Sequence, residues 1–148
     1  MSKRHRLAIV GLGMAVTPHA QSLADLADRV EVAWAFSPTE ARRRSFAARF
    51  PFPVTGDFAA IAGDPTIDTV LVLTPPNAHL LIVRELAAAG KHVLLEKPLE
   101  ASLDRAEEVV RVCERAGVTL AVVFQHRFRP GSLALAAKVA AGELGTLA

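Results

Sequence analysis

Short apolar runs alternate with amphipathic stretches along the chain, and glycine or proline separates many of them. An apolar run of four to seven residues between such breaks favours a strand, whereas apolar residues three or four positions apart favour a helix. The sequence predicts strands at 7–10, 30–36, 54, 68–73, 92–95 and 118–124. It predicts helices ending near 28, at about 38–50, just after Asp57, at about 77–89 and at 102–116.

Strands separated by helix-length segments predict a parallel sheet. Each right-handed crossover returns the chain to the end of the sheet where the previous strand began, so the next strand runs in the same direction. The run at 68–73 carries apolar residues on both faces, which is typical of a central strand covered by helices above and below. The predicted fold class is therefore α/β, a doubly wound parallel sheet of the Rossmann dinucleotide-binding type.

A glycine pair directly follows the first predicted strand, in the segment Gly11-Leu12-Gly13-Met14. Gly11 suits a tight turn, and Gly13 lets a pyrophosphate approach the main chain where helix N–H groups point outward. We expect these four residues to bind a dinucleotide cofactor. Glycine pairs also end strands for purely structural reasons, so this motif is weak when taken alone.

The start of the first helix departs from the usual G-x-G-x-x-G/A pattern. Val16 occupies the third position, where a small residue allows close packing of helix and strand. Pro18 lacks a backbone N–H, so either the helix begins late, with Thr17 as N-cap, or one hydrogen bond of the first turn is missing.

Ser37 follows the second predicted strand, at the position where an NAD site usually carries Asp or Glu for the ribose 2′-hydroxyl. A neutral side chain there removes the charge that would repel a 2′-phosphate. Arg42, Arg43 and Arg44 come next, and we expect one of them, Arg42, to reach such a phosphate. A solvated helix face is the alternative for these arginines. The cofactor is predicted to be NADP or NAD, with a lean to NADP.

Two further segments follow predicted strands, at the edge of a parallel sheet where ligands bind. Thr74-Pro75-Pro76-Asn77 forms a fixed turn against which a nicotinamide ribose could lie, with Asn77 as helix N-cap. His79 follows in the first helical turn, with a half-exposed helix position as its alternative. Glu96-Lys97-Pro98 places two charged side chains beside an apolar core, which favours a functional use.

Composition narrows the classes of protein. The 148 residues suffice for one domain, are 51% hydrophobic and carry a net charge of +2. Tyr is absent and Trp34 stands alone, so no nucleic-acid partner is predicted. The apolar runs are too short for a membrane span, and the basic start at 3–6 lacks a following signal-peptide run, which predicts a cytoplasmic protein. The single Cys113 excludes an internal disulfide and a cysteine metal cluster, and no metal site is predicted.

Four segments together carry a resemblance to a known family: Gly11-Leu12-Gly13 with His19 six residues on, Thr74-Pro75-Pro76-Asn77-Ala78-His79, Glu96-Lys97-Pro98, and Gln125-His126-Arg127-Phe128-Arg129-Pro130. The chain resembles the Gfo/Idh/MocA family of NAD(P)-dependent oxidoreductases over nearly its whole length. The resemblance implies hydride transfer between a nicotinamide and a hydroxyl carbon of a sugar, cyclitol or related polyol.

The same resemblance implies roles for particular residues. Lys97 would lie near the nicotinamide and the substrate hydroxyl, as the catalytic residue, where a cation steadies oxyanion charge or relays a proton. A cis Lys97–Pro98 bond is expected. Glu96 and Arg127 would lie near the cofactor, although Arg127 could equally be a generic surface arginine.

Members of this family are much longer, and their second α+β domain supplies most of the substrate pocket. We therefore expect residues 1–124 to form the Rossmann domain and 125–148 a connecting loop and helix that lead toward a second domain absent from this sequence. The chain alone is expected to bind cofactor with little or no turnover, and to self-associate through surfaces that normally meet the second domain.

Two other functions fit part of the pattern. A stand-alone NAD(P)-binding or sensing module would need no substrate pocket. An S-adenosylmethionine methyltransferase shares an early G-x-G but does not call for the Thr74-Pro75-Pro76 and Glu96-Lys97-Pro98 segments, and it would want an acid near residue 37.

Overall fold

A computed structural model describes residues 4–146; Lys3 of the basic start and the last two residues of the 125–148 segment lie outside that range. The strands are β1 (His5–Val10), β2 (Val30–Phe36), β3 (Val54–Thr55), β4 (Thr69–Val72), β5 (His92–Glu96) and β6 (Leu120–Val123). The helices are α1 (Val16–Asp25), α2 (Glu40–Ala47), α3 (Ala59–Ala62), α4 (His79–Ala88), α5 (Leu103–Ala116) and α6 (Pro130–Ala140). Short 3-10 turns span Pro76–Ala78 and Gln125–Phe128.

The six strands form one parallel sheet in the order β3-β2-β1-β4-β5-β6. Strands β2 and β3 lie on one side of β1, and β4, β5 and β6 lie on the other side. The strand order therefore reverses between β1 and β4, which is where ligands bind in doubly wound sheets. This confirms the predicted fold class.

Side chains that alternate along β1 divide the core into two layers. Ile9 packs on one face of the sheet with Val16 and Ala20 of α1 and Phe46 of α2. Ala8 and Val10 face the opposite layer, whose members come mainly from α3, α4, α5 and the adjoining strands. Both faces of the inner strands are thus covered, which explains why β4 is apolar and buried from Val70 to Val72.

Several helix boundaries differ from the predicted ones. Helix α1 begins at Val16, so Thr17 is not its N-cap and Pro18 is its third residue. The first N–H groups of a helix have no acceptor within it, so Pro18 costs no helical hydrogen bond there. Helix α2 ends at Ala47 rather than near Phe50, and Pro51 disfavours helical geometry at Phe50, the residue before it.

Candidate active site: a dinucleotide cleft and a lysine at the sheet edge

A cleft of about 640 Å³ opens above the carboxyl ends of β1, β2 and β4. Eight of the predicted site residues line it: Gly11, Leu12, Gly13, Met14, Ser37, Arg42, Thr74 and Pro75. Three separate loops contribute all of these residues except Arg42, which lies in α2, and parallel pairing of the strands brings the loops to one edge. The structure therefore brings eight of the residues predicted to bind the cofactor to one cleft, and their contact with a cofactor stays a prediction.

The glycine loop has the open geometry that a pyrophosphate needs. A Cβ added to Gly13 would meet no heavy atom within 4 Å, so the main chain is accessible there. The N–H groups of Gly13, Met14 and Ala15 donate no hydrogen bond to residues 4–146, and they precede α1. Helix N-termini of this kind attract anionic groups.

A buried polar atom in the same cleft also lacks a partner. The Thr74 hydroxyl is inaccessible to solvent and hydrogen-bonds to none of the described residues. Buried hydroxyls are normally paired, because leaving one unpaired costs free energy. The open glycine loop and this unpaired hydroxyl fit a dinucleotide in the cleft.

Ser37 is 1% exposed, and its Oγ accepts a hydrogen bond from the Thr39 N–H at 3.2 Å. The three following arginines have different surroundings. Arg43 donates to the Ser37 carbonyl oxygen at 2.6 Å, and Arg44 pairs with Glu40 on the exposed face of α2. Arg42 alone among the three lines the cleft, and its contact with a 2′-phosphate stays a prediction.

The Thr74–His79 segment is built differently from the prediction. Pro75 is extended and Pro76 begins a 3-10 turn, so Asn77 already has helix-like geometry and does not cap α4. The N-cap position of α4, directly before its first residue, is occupied by Ala78. Pro76 and Asn77 lie beside the cleft without lining it, and their contact with a cofactor stays a prediction.

His79 is fully buried rather than half-exposed. Its Nδ1 lies 3.1 Å from the Leu99 carbonyl oxygen, and its Nε2 lies 2.9 Å from the Thr74 carbonyl oxygen. The ring thus joins the loop after β4 to the loop after β5. This burial gives no support to a direct cofactor contact, which stays a prediction, but it does fix the backbone of a cleft residue.

A buried carboxylate, which the sequence pattern did not single out, reinforces the same junction. The Glu100 side chain accepts hydrogen bonds from the Arg105 guanidinium at 2.6 Å, from the Ala101 N–H at 2.5 Å and from the Leu80 N–H at 3.2 Å. The Arg105 guanidinium and these N–H groups lower the pKa of Glu100 to about 2. Arg105 also donates to the Asn77 carbonyl oxygen at 3.0 Å.

Lys97 follows β5 and is exposed at the sheet edge. It lines a separate cavity of about 560 Å³ together with Phe124, Gln125, His126 and Arg127. The Lys97–Pro98 peptide bond is cis, as the resemblance implied. The structure therefore places Lys97 and Arg127 together, in a cavity distinct from the one that the glycine loop lines.

Glu96 points toward α1. Its Oε1 lies 3.3 Å from Nε2 of His19, and its Oε2 is buried without a hydrogen-bond partner among the described residues. Both side chains line a third, largely apolar groove beside β6. Glu96 is thus next to Lys97 in sequence but lines a different cavity, and its predicted cofactor contact stays a prediction.

None of the helices in residues 4–146 combines the length and apolar character that a bilayer span requires. That part of the chain also holds no cluster of three or more His, Cys, Asp or Glu side chains arranged to bind a metal ion.

The strand order and the glycine loop at the β1/β4 switch point define a Rossmann dinucleotide-binding domain. Residues 5–124 match the family described as oxidoreductases with an NAD-binding Rossmann fold. The chain belongs to this family, Gfo/Idh/MocA, as its four sequence segments indicated.

Relatives within the family use both cofactors. The chain is 38% identical over 143 residues to D-xylose 1-dehydrogenase (NADP(+)) 2 of Haloferax volcanii, covering 95% of this chain and 42% of that protein. It is 28% identical over 146 residues to scyllo-inositol 2-dehydrogenase (NAD(+)) of Bacillus subtilis, covering 98% and 43%. The structure of scyllo-inositol dehydrogenase from Lactobacillus casei with bound NAD(H) and scyllo-inositol superposes with a TM-score of 0.86 at 26% identity, covering 97% and 43%. The chain therefore spans less than half the length of these relatives.

Proposed function

We propose that this chain is the NAD(P)-binding part of an oxidoreductase that transfers hydride between a nicotinamide cofactor and a hydroxyl carbon of a sugar, cyclitol or related polyol. The carrying observation is the cleft at the β1/β4 switch point. There an open Gly13 and Thr74, whose buried hydroxyl has no hydrogen-bond partner among the described residues, line the same space. The named activities of the xylose and inositol dehydrogenases supply the substrate class.

Different residues of the cleft bind different parts of the cofactor. The N–H groups of Gly13 and Met14 bind the pyrophosphate at the start of α1. Ser37 and Arg42 bind the adenosine ribose, and Thr74 and Pro75 border the ribose next to the nicotinamide. When bound, the cofactor supplies the hydride acceptor or donor.

Lys97 is the proposed catalytic residue. Its ammonium group is exposed at the carboxyl end of β5, beside Arg127, in a cavity open to a second reactant. A cation there stabilises negative charge that develops on the substrate oxygen, and it donates a hydrogen bond to that oxygen. Arg127 holds the cofactor at the same end.

The cofactor preference is proposed as NADP over NAD. Ser37 puts no carboxylate at the ribose position, and Arg42 lines the cleft beside it. The family alone does not decide this point, because relatives of both kinds are similar to this chain.

Within the whole chain, 1–124 is proposed as the cofactor domain and 125–148 as its connection to a further domain. The 148 residues are expected to bind cofactor without appreciable turnover. The Lys97 cavity is open to water, and water exclusion is what the reacting centre of such an enzyme needs. Self-association is proposed through the apolar side chains that α6 exposes, among them Leu133 and Leu135.

The direct test is a fluorescence titration of the 148-residue chain with NADPH and NADH, following Trp34 quenching and nicotinamide enhancement. Saturable binding of both is expected, with NADPH tighter. Gly13→Val should abolish binding because the side chain fills the phosphate approach. Gly131→Val is the matched control, since a Cβ there also meets no heavy atom within 4 Å but lies on α6. Absence of saturable binding by either nucleotide contradicts the proposal.

A further inference from the structure

A fourth space, of about 450 Å³, lies between the start of α1 and α2. Because it adjoins the dinucleotide cleft, it is named the second cleft. It shares Leu12, Gly13, Met14 and Arg42 with the dinucleotide cleft. The two spaces therefore adjoin at the glycine loop. A substituent on a ligand in the dinucleotide cleft can extend into the second cleft past Arg42.

The side chains of this second cleft are suited to an anion. Arg42, Ser45 and Arg49 contribute its charged and hydroxyl groups, and no carboxylate lines it. Neither arginine forms an ion pair with an acidic side chain anywhere in the range 4–146. The neighbouring Arg44 does pair, with Glu40. The charges of Arg42 and Arg49 are therefore the ones on this side of α2 that no acidic side chain of the described residues neutralises.

Arg49 is held in place by neutral partners. Its guanidinium donates to the Thr17 hydroxyl at 3.0 Å, in the first turn of α1. It also lies over the Phe50 ring, 5.2 Å from the ring centroid. These contacts fix the guanidinium beside the N-terminal end of α1 while leaving its charge available to a ligand.

We infer that the second cleft binds the 2′-phosphate of an NADP-type cofactor, with Arg49 and Ser45 as specificity-determining residues in addition to Arg42. The inference rests on the proposed function, which places the adenosine ribose beside Ser37. A phosphate monoester offers three acceptor oxygens, and a guanidinium matches them with paired N–H donors. Two arginines and one hydroxyl supply the donors that such a dianion needs.

The test compares Arg49→Gln with Arg44→Gln in the 148-residue chain. Both variants remove one positive charge from the region of α2, but only Arg49 lines the cleft. Gln keeps part of the side-chain stem over Phe50, and circular dichroism and thermal unfolding check that both variants fold. The ligands are NADPH, NADH, 2′,5′-ADP and 5′-ADP, each titrated calorimetrically or by fluorescence.

Arg49→Gln should weaken NADPH and 2′,5′-ADP by about tenfold or more, the effect of one lost charge-assisted hydrogen bond. It should weaken NADH and 5′-ADP by less than about twofold, and Arg44→Gln should stay within that range for every ligand because exposed charges are screened. Ser45→Ala should weaken NADPH in the same selective way. Inorganic phosphate should compete with 2′,5′-ADP in the wild type.

Two results overturn the inference. One is an equal effect of Arg49→Gln and Arg44→Gln on NADPH. The other is an equal loss of NADPH and NADH in Arg49→Gln, which would assign Arg49 to the dinucleotide as a whole. Failure of the wild type to bind any of the four ligands would instead contradict the proposed function itself.

Discussion

Gly11 lies directly against the backbone of Leu73. A Cβ on Gly11 would lie 2.9 Å from the Leu73 carbonyl carbon and 3.0 Å from the Thr74 nitrogen, and Gly11 has a φ of +105°. The glycine therefore allows the loop after β1 to touch the loop after β4. This contact is what closes the floor of the dinucleotide cleft.

Gly11→Ala should consequently lower the free energy of unfolding by about 1–3 kcal/mol, because a residue with a Cβ rarely adopts this φ and meets backbone atoms that cannot move away. Urea unfolding followed by Trp34 fluorescence measures the change. Gly13→Ala is the control, since nothing lies within 4 Å of its Cβ position, and it should change stability by less than about 1 kcal/mol. Equal destabilisation by both substitutions would refute the close-approach explanation.

His79→Leu should lower stability by about 2–5 kcal/mol. The leucine fills much of the ring volume but removes both ring nitrogens that lie within hydrogen-bond distance of the Leu99 and Thr74 carbonyl oxygens, and a buried oxygen that loses its N–H donor costs free energy. Chemical denaturation measures the loss. His126→Leu, at an exposed position, is the control and should have little effect. A stable His79→Leu variant would show that the two loops hold together without this bridge.

The Glu100 carboxylate makes part of the stability dependent on pH. Its folded pKa of about 2 lies below the ordinary 4.5, so the folded state binds fewer protons than the unfolded state in that range. Its contribution is complete above about pH 5 and falls as the pH falls toward 2. The difference in unfolding free energy between wild type and Glu100→Gln should therefore shrink from pH 5 to pH 3. Glu40→Gln, on the exposed face of α2, should show a small difference at every pH. A constant Glu100→Gln difference would contradict this account.

Lys97→Ala separates catalysis from cofactor binding. In the active protein it should lower kcat by about 10²–10⁴-fold, while the Kd for NADPH changes by less than about threefold. Lys138→Ala is the matched control, because it removes an exposed lysine of α6 that pairs with Glu143. A large loss of NADPH binding in Lys97→Ala would make the lysine a cofactor ligand. Unchanged kcat would remove it from the reaction.

Cys113 is 2% exposed in α5, and burial raises the pKa of its thiol. The neutral thiol is a poor nucleophile, so thiol–disulfide exchange in the folded chain should be slower than in urea by about tenfold or more. Labelling with a thiol-reactive disulfide, monitored by absorbance, measures both rates. Rapid labelling of the folded chain would mean that α5 opens readily.

The sequence predicted the sheet because apolar runs and glycines mark each strand locally. Residues 30–36 were predicted as a strand and form β2, and the loops after β1, β2 and β4 meet as expected because parallel pairing leaves little choice. Met14 and Arg42 line the cleft where these loops meet, and their contact with a cofactor stays a prediction. These successes depend on patterns that neighbouring residues carry.

The residues that the sequence analysis missed have partners far along the chain. Nothing near Glu100 indicates that its carboxylate accepts from the Leu80 N–H, 20 residues away. Arg49 likewise reaches Thr17, 32 residues earlier, and no periodic pattern marks that contact. Asn77 failed as an N-cap for a local reason, since Pro76 starts a 3-10 turn before it.

The order of the strands also affects synthesis on the ribosome. Val10 of β1 pairs with Val72 of β4, so one edge of β1 stays open until about 60 more residues have been made. At ordinary elongation rates this delay is about 3–12 s. This edge of β1 is thus exposed in the nascent chain before its neighbour exists, and chaperone binding during that interval would protect it.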